Sequence, residues 1–311
     1  MDLNTVTGYR RARTREDLRL APGETIVAGG TWFFSEPQID STGIVDISGI
    51  DWPAFEDLPG GGLRVAATAT IASLAALPPR PHWPAQRLFA QCADALLASF
   101  KIQHVATVGG NVCRSFAAAS MVSLMAGLDA VAHIWCPDGT DRREPVETFV
   151  TGQGTNTLAP GEVLRAMDIP AHALRARSGF RKIALAELGR SGAVVTGRVG
   201  TGASAATGDV TGASAATGDV TGASAATGDV TGASAATGNV AAGQCVIGIT
   251  AATLRPTILR YPTVPDAETL RRDIESVGGY YTDPLGSADW RRGVCVVLAE
   301  QIRSELADEQ H

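Results

Sequence analysis

Short runs of β-branched and aliphatic residues, broken by glycine, proline and small polar residues, predict an α+β chain built on strands rather than a helical bundle. Residues 14–20 read as a capped short helix that 21–24 break. Residues 25–28 then form a buried strand that runs straight into Gly29, Gly30 and Thr31. Two further strands are expected over 43–48 and 63–68, followed by a short helix over 70–77 capped by Thr70. Across 85–100 the positions Leu88, Phe89, Cys92, Leu96 and Leu97 recur at helical spacing, the stripe of a packed helix. Next comes 105–113, where a β-branched lead-in meets Gly109, Gly110 and Asn111. This predicts a strand that turns sharply and leaves successive backbone N–H groups unpaired.

Residues 115–130 are small and apolar, consistent with a helix packed close to a neighbouring backbone. A strand over 131–136, a turn at 137–140, a return with a short helix over 142–150 and a strand over 161–170 ended by Pro170 complete the first part. A domain boundary is expected near 171–177. Beyond it lie strands near 179–183, 193–195 and 245–250, a helix over 266–277 capped by Asp266, and a long helix over 287–306. Val294, Val297, Leu298, Ile302 and Leu306 are its expected inward face. That is a small antiparallel sheet with helices on it, an arrangement suited to a scaffold or an interface.

Residues 201–240 are tandem decamers of Thr-Gly-Ala-Ser-Ala-Ala-Thr-Gly-Asp-Val, with Asn239 replacing Asp in the last. They hold no aromatic residue and only Val210, Val220, Val230 and Val240 as larger apolar groups, too little for a core of their own. The even period would keep valine on one face of an extended arm, the alternative to an inert loop expansion. Their position suggests an insertion into a hairpin.

Composition narrows the function. With 311 residues and 45% hydrophobic content there is core enough for about two domains. A net charge of −6 leaves no basic excess for binding a phosphate backbone, so nucleic acid is not an expected partner. The scattered Cys92, Cys113, Cys136, Cys245 and Cys295 contain no CxxC pair and spell neither a disulfide framework nor a metal or cluster site, which fits a reducing compartment. Arg10, Arg11, Arg13 and Arg15 are not followed by an apolar segment as in a signal peptide, and no run is long enough for a membrane span. A cytoplasmic location follows as the expectation.

The chemistry sits in the two glycine pairs. Each is an ordinary turn signal, yet each can also cradle an anion through oriented N–H groups. Two such loops in one domain could grip a diphosphate from both sides.

The motifs Ile26-Val-Ala-Gly-Gly-Thr31, Ala106-Thr-Val-Gly-Gly-Asn111, Leu158-Ala-Pro-Gly-Glu-Val-Leu-Arg-Ala-Met-Asp-Ile-Pro170, Phe180-Arg-Lys182 and Gly286-Ser-Ala-Asp-Trp-Arg-Arg292 occur in this order. In that order they resemble the FAD-binding (medium) subunit of the molybdenum hydroxylases, the family of xanthine, carbon monoxide and aldehyde dehydrogenases. The resemblance implies a two-subdomain FAD-binding domain of the vanillyl-alcohol-oxidase/PCMH type over 1–172, with subdomains of about 1–52 and 53–172. A small C-terminal α+β domain over 178–311 would carry the decamers as its insertion.

By the same resemblance Ala28, Gly29, Gly30, Thr31, Trp32 and Phe33, with Thr107, Gly109, Gly110 and Asn111, hold the diphosphate and ribityl chain of FAD. Leu164 would pack near the flavin ring, and Lys182 would lie by its pyrimidine end, where a cation stabilises the negative charge of reduction. Ser120 stands where relatives carry an acid that can bond the cofactor, so weaker FAD retention is an expectation. Neither loop has a histidine, which implies non-covalent FAD, and Cys113 is read as a small packed residue.

Molybdopterin and 2Fe-2S clusters would reside only on partner chains, an iron–sulfur subunit and a molybdopterin-binding subunit, in a heterotrimer or its dimer. The flavin would relay electrons to an acceptor such as NAD or O2. Two other readings stay open: a free-standing flavin oxidase, for which only His104 and His133 lie near the central elements as bases, and a flavin-free assembly or scaffold module.

Overall fold

The computed structural model describes residues 3–187, 189–200 and 243–308. The decamers at 201–240 lie outside these residues. Near the N-terminus, β1 (Gly8–Arg11), β2 (Glu24–Val27) and β3 (Gly43–Asp46) form a parallel sheet in the order β1-β3-β2. The capped helix expected after residue 14 is a 3-10 turn over Glu16–Leu18. The Asp17 carboxylate accepts hydrogen bonds from the N–H groups of Arg13 and Thr14 there.

A second, antiparallel sheet follows. It comprises β4 (Phe55–Asp57), β5 (Leu63–Ala66), β6 (Val131–Trp135), β7 (Asp141–Pro145) and β10 (Val163–Ile169), in the order β4-β5-β10-β6-β7. The short pair β8 (Val150–Gly152) and β9 (Thr155–Asn156) lies beside it. The helices of this part are α1 (Ile71–Ala75), α2 (Arg87–Ala95), α3 (Phe100–Gln103), α4 (Val108–Arg114), α5 (Ser120–Gly127) and α6 (Val146–Phe149). All but α3, which has no buried residue, share a core with the second sheet around Leu63, Ile71, Phe89, Val108, Leu124 and Met167.

Helix α2 is shorter than its apolar stripe. It ends where Leu96 turns to extended backbone, and Ser99 caps the separate helix α3, so Leu97 is left exposed. The larger departure is at 105–113, which is not a strand with a sharp turn. It enters as a single bridge, Thr107 to Thr70, and then coils into α4, because the Thr107 hydroxyl accepts the Gly110 N–H at 3.0 Å as an N-cap. The expected helix over 115–130 shortens to α5, since Ser115 adopts a left-handed φ of 51° that closes α4.

After α7 (Ala171–Arg175), the strands β11 (Arg177–Ile183), β12 (Ala193–Val199), β13 (Cys245–Thr250) and β14 (Thr257–Tyr261) make an antiparallel sheet in sequence order. Strands β12 and β13 pair through Val199 and Cys245, and Gly200 donates to the Gln244 carbonyl, so residues 201–242 join the ends of adjacent strands. Helix α8 (Ala267–Ser276) is capped by Asp266, and α9 (Ala288–Asp308) packs on β11 and β12. Val297 is exposed rather than inward; the buried face of α9 runs through Arg291, Cys295, Leu298, Ala299, Ile302 and Leu306.

Helix α5 packs against β12 and β13, and β12 is buried along its whole length. At this junction Asp129, with φ 50°, receives the buried Arg198, His172 at 3.2 Å and Arg260 at 3.1 Å. Burial pushes the Asp129 carboxyl up, but these partners outweigh it and hold its pKa at about 2.

Candidate functional site

The segment after β2 and the start of α4 face each other across a cleft of about 490 Å³. They approach so closely that a Cβ on Gly29 would lie 1.9 Å from the Val105 carbonyl oxygen. Gly30 takes a left-handed φ of 67°, and its carbonyl accepts the Phe34 N–H at 2.9 Å, turning the chain back along the wall. Among the described residues, the N–H groups of Gly29, Gly30, Thr31, Trp32 and Phe33 make no hydrogen bond. A run of free donors beside a cavity can cradle an anion.

The second pair behaves differently. Val108 donates to the Ala69 carbonyl at 2.8 Å, Gly109 to Ala67 at 3.0 Å, Gly110 to the Thr107 hydroxyl and Asn111 to the Thr107 carbonyl at 3.0 Å. The expectation of successive unpaired N–H groups therefore fails here, because capping and docking of α4 consume them. Gly109 serves close packing: a Cβ there would sit 2.4 Å from the Ala67 Cβ. What this pair offers the cleft are side chains, the Thr107 hydroxyl and the Asn111 amide. The Asn111 Oδ1 is already engaged by the Met121 N–H at 3.0 Å, which orients its amide.

Of the residues singled out from sequence, Ala28, Gly29, Gly30, Thr31, Trp32, Phe33, Thr107, Gly110 and Asn111 line this one cleft. Gly109 is buried behind it. Ser120 begins α5, 2% exposed, with its hydroxyl unpartnered among the described residues and its neighbour Ala119 on a recess of about 190 Å³ that continues the cleft past Asn111 and Phe116. Leu164 is packed in β10 opposite Ile134, and Lys182 lies on β11 beside a shallow hollow with 183–187; neither lines the cleft.

Sequence reasoning missed Leu96, Leu97, Ala98 and Ile102, an apolar wall, and Arg114, Phe116 and Arg190. Arg114 was legible once 108–114 is taken as a helix, since Thr107, Gly110, Asn111 and Arg114 then share a face. The others come from segments far apart in sequence. Cys113 also lines the cleft, and burial pushes its thiol up to about 12, so it is a neutral group. His104 bonds the Phe100 carbonyl and His133 pairs with Asp141, both outside the cleft. A larger cavity, about 600 Å³, lies between the 15–24 segment and Trp135, away from both glycine pairs.

Among the described residues no group of three or more His, Cys, Asp or Glu side chains could hold a metal ion, and no helix is long and apolar enough to cross a membrane.

Comparison with known proteins agrees with this geometry. The putative xanthine dehydrogenase FAD-binding subunit XdhB of Escherichia coli K12 is 30% identical over 177 residues, covering 52% of this chain and 57% of the relative. The xanthine dehydrogenase FAD-binding subunit of Escherichia coli O157:H7 is 30% identical over 176 residues, with the same coverage. The chain thus matches little more than half the length of these curated relatives. Among solved structures, the fold is similar to a chain of reconstituted CO dehydrogenase from Oligotropha carboxidovorans, with TM-score 0.74, 16% identity and 97% of each chain covered. It is likewise similar to a chain of quinoline 2-oxidoreductase from Pseudomonas putida 86, with TM-score 0.73, 17% identity and 99% of each chain covered. Residues 10–172, which hold both glycine pairs and the cleft between them, match the family described as the FAD binding domain in molybdopterin dehydrogenase, and the chain belongs to that family.

Proposed function

We propose that this chain is the FAD-binding electron-transfer subunit of a multi-subunit molybdopterin-dependent hydroxylase or dehydrogenase, and that the FAD diphosphate lies in the cleft between the glycine pairs. The observation that carries this reading is the run of free N–H donors from Gly29 to Phe33 on a cleft wall. These groups fit a diphosphate, because hydrogen bonds to an anion are stronger than neutral ones. The Thr107 hydroxyl and the Asn111 amide face them, and the unpartnered Ser120 hydroxyl lies one residue from the recess where a polar part of the cofactor could reach. The hollow has the size of an ordinary ligand site, about 300–1,000 Å³.

When bound, FAD accepts electrons and passes them on singly or in pairs. The protein's part is to bind and orient it, while Leu96, Leu97 and Ile102 keep water from one side. In this reading the iron–sulfur and molybdopterin centres belong to partner subunits in a heterotrimer or its dimer, the acceptor is a small molecule such as NAD or O2, and the complex is cytoplasmic. Leu164 and Lys182 do not line this cleft, so in this reading their contact with the flavin ring falls beyond the part that holds the diphosphate. The division of the chain at 172–178 is supported by its separate cores, one under the second sheet and one between the last sheet, α8 and α9.

The test is to purify the chain from its native source with whatever accompanies it, and to measure flavin, molybdenum, iron and subunit ratio. Flavin near one per chain together with both metals on co-purifying subunits is the expected result. A preparation that folds but neither contains nor takes up FAD would refute the assignment.

A further inference from the structure

The charged side chains on the cleft wall are Arg114 and Arg190. Arg190 is already compensated, with Asp283 at 3.3 Å. Arg114 is not: among the described residues its side chain makes no hydrogen bond or ion pair and lies against two rings, its guanidinium 4.6 Å from the Trp32 centroid and 4.9 Å from that of Phe116. Those rings meet edge to face at 4.8 Å, so they form a corner that holds a flat cation and makes no demand on its hydrogen-bond donors. Trp32 belongs to the run of free N–H groups, and Arg114 lies one and two turns along α4 from Asn111 and Thr107. The cation thus joins both jaws of the cleft. Burial lowers its pKa, as it does for a charge with no counter-ion at hand.

We infer that Arg114, held in place by Trp32 and Phe116, is the cation that neutralises the diphosphate of the dinucleotide bound in this cleft. The inference rests on the reading of the cleft as the FAD site and adds a binding residue that the two glycine pairs do not contain. A guanidinium suits the task, because its fork matches two phosphate oxygens, whereas backbone N–H groups supply hydrogen bonds without net charge.

The test titrates the apo full-length chain with FAD, read by flavin fluorescence, for the wild type, R114Q, R114M and R114K at low and high salt. R114Q is expected to bind FAD about 10- to 100-fold more weakly. Its affinity should also lose most of the wild type's sensitivity to salt, because screening acts on the charge that was removed. R114K should keep the salt sensitivity and lose less affinity. R114M, whose apolar stem still packs on both rings, must behave as R114Q does, and thermal unfolding of each variant verifies the fold. FAD binding by R114Q and R114M within about twofold of the wild type would overturn the inference and leave the cofactor reading intact. Weakened binding with unchanged salt sensitivity would overturn it too, since that marks a structural role. A wild type that binds no FAD would remove the cofactor reading itself.

Discussion

Gly29-Gly30 and Gly109-Gly110 are written alike, each following an apolar lead-in and each followed by a hydroxyl or amide residue, yet the chain uses them in opposite ways. After the first pair the backbone turns through a left-handed Gly30 and leaves its N–H groups free on the cleft. At the second, Thr107 starts a helix, and every N–H from Val108 to Asn111 is spent within the protein. The first pair offers a ligand its backbone, whereas the second builds the wall and offers side chains. A glycine pair therefore marks a close approach, and a capping residue two positions before it, as Thr107 is before Gly109, signals that a helix start will claim the donors.

Substitutions in the two pairs should separate stability from binding. Gly109→Val is expected to have the largest effect, on the fold: its Cβ would meet Ala67 at 2.4 Å from side chain and 2.6 Å from backbone. A loss on the order of 3 kcal/mol is expected in denaturant unfolding of the ligand-free chain. Gly30→Val, whose Cβ would meet the Phe34 ring at 2.5 Å, should cost the free chain only about 1–2 kcal/mol, because that exposed ring can swing aside where the Ala67 backbone cannot. It should nevertheless weaken FAD about 100-fold in a binding titration, because the loop must leave its left-handed turn. If Gly30→Val instead unfolds the chain while Gly109→Val spares it, the contrast between the pairs is wrong.

The next effect is one of pH, and it sets both pairs apart from the junction behind them. Asp129 has its pKa depressed to about 2 against an ordinary 3.8. Its stabilisation is therefore fully present above about pH 4 and is lost as pH falls toward 2, on the order of 2 kcal/mol. Unfolding midpoints followed through that window should fall for the wild type and less steeply for Asp129→Asn, the remaining slope belonging to Glu24, Glu162 and Asp168, whose carboxyls are also held low. FAD affinity between about pH 5 and 7 should stay flat, since the N–H donors do not titrate. The smallest effect belongs to Thr107→Val, which removes the cap of α4. About 1 kcal/mol of stability and a severalfold loss of FAD affinity are expected together, because this one hydroxyl serves the fold and faces the cleft.

How much was legible follows the same physics. Strands β2, β3, β5, β6, β10, β12 and β13 are rich in aliphatic residues and were visible as such, and β11 was placed from Phe180 and Ile183 despite its polar residues. Strands β4 and β14 were not, because both are edge strands with half-exposed residues such as Glu56 and Arg260 and lack a buried alternation. In α9 the reading put Val297 inward by counting aliphatic residues. The buried face instead follows Arg291, Cys295, Leu298 and Ile302, and the fully buried Arg291 is held by the Gly192 and Ala251 carbonyls and by Asp283. At the site the first loop was read correctly as a strand ending in a turn. The second was misread because Thr107 was taken as a strand residue rather than a cap. Phe116 and Arg190 reach the cleft only through tertiary packing, for which no local pattern exists.

Backbone amide exchange, followed residue by residue with and without saturating FAD, tests the central claim most directly. The account expects the amides of Gly29 to Phe33 to exchange fast in the free chain and to be strongly protected once FAD is bound. Those of Val108 and Gly109 should be slow in both states. Saturation with FAD that leaves Gly29 to Phe33 unprotected would contradict the account.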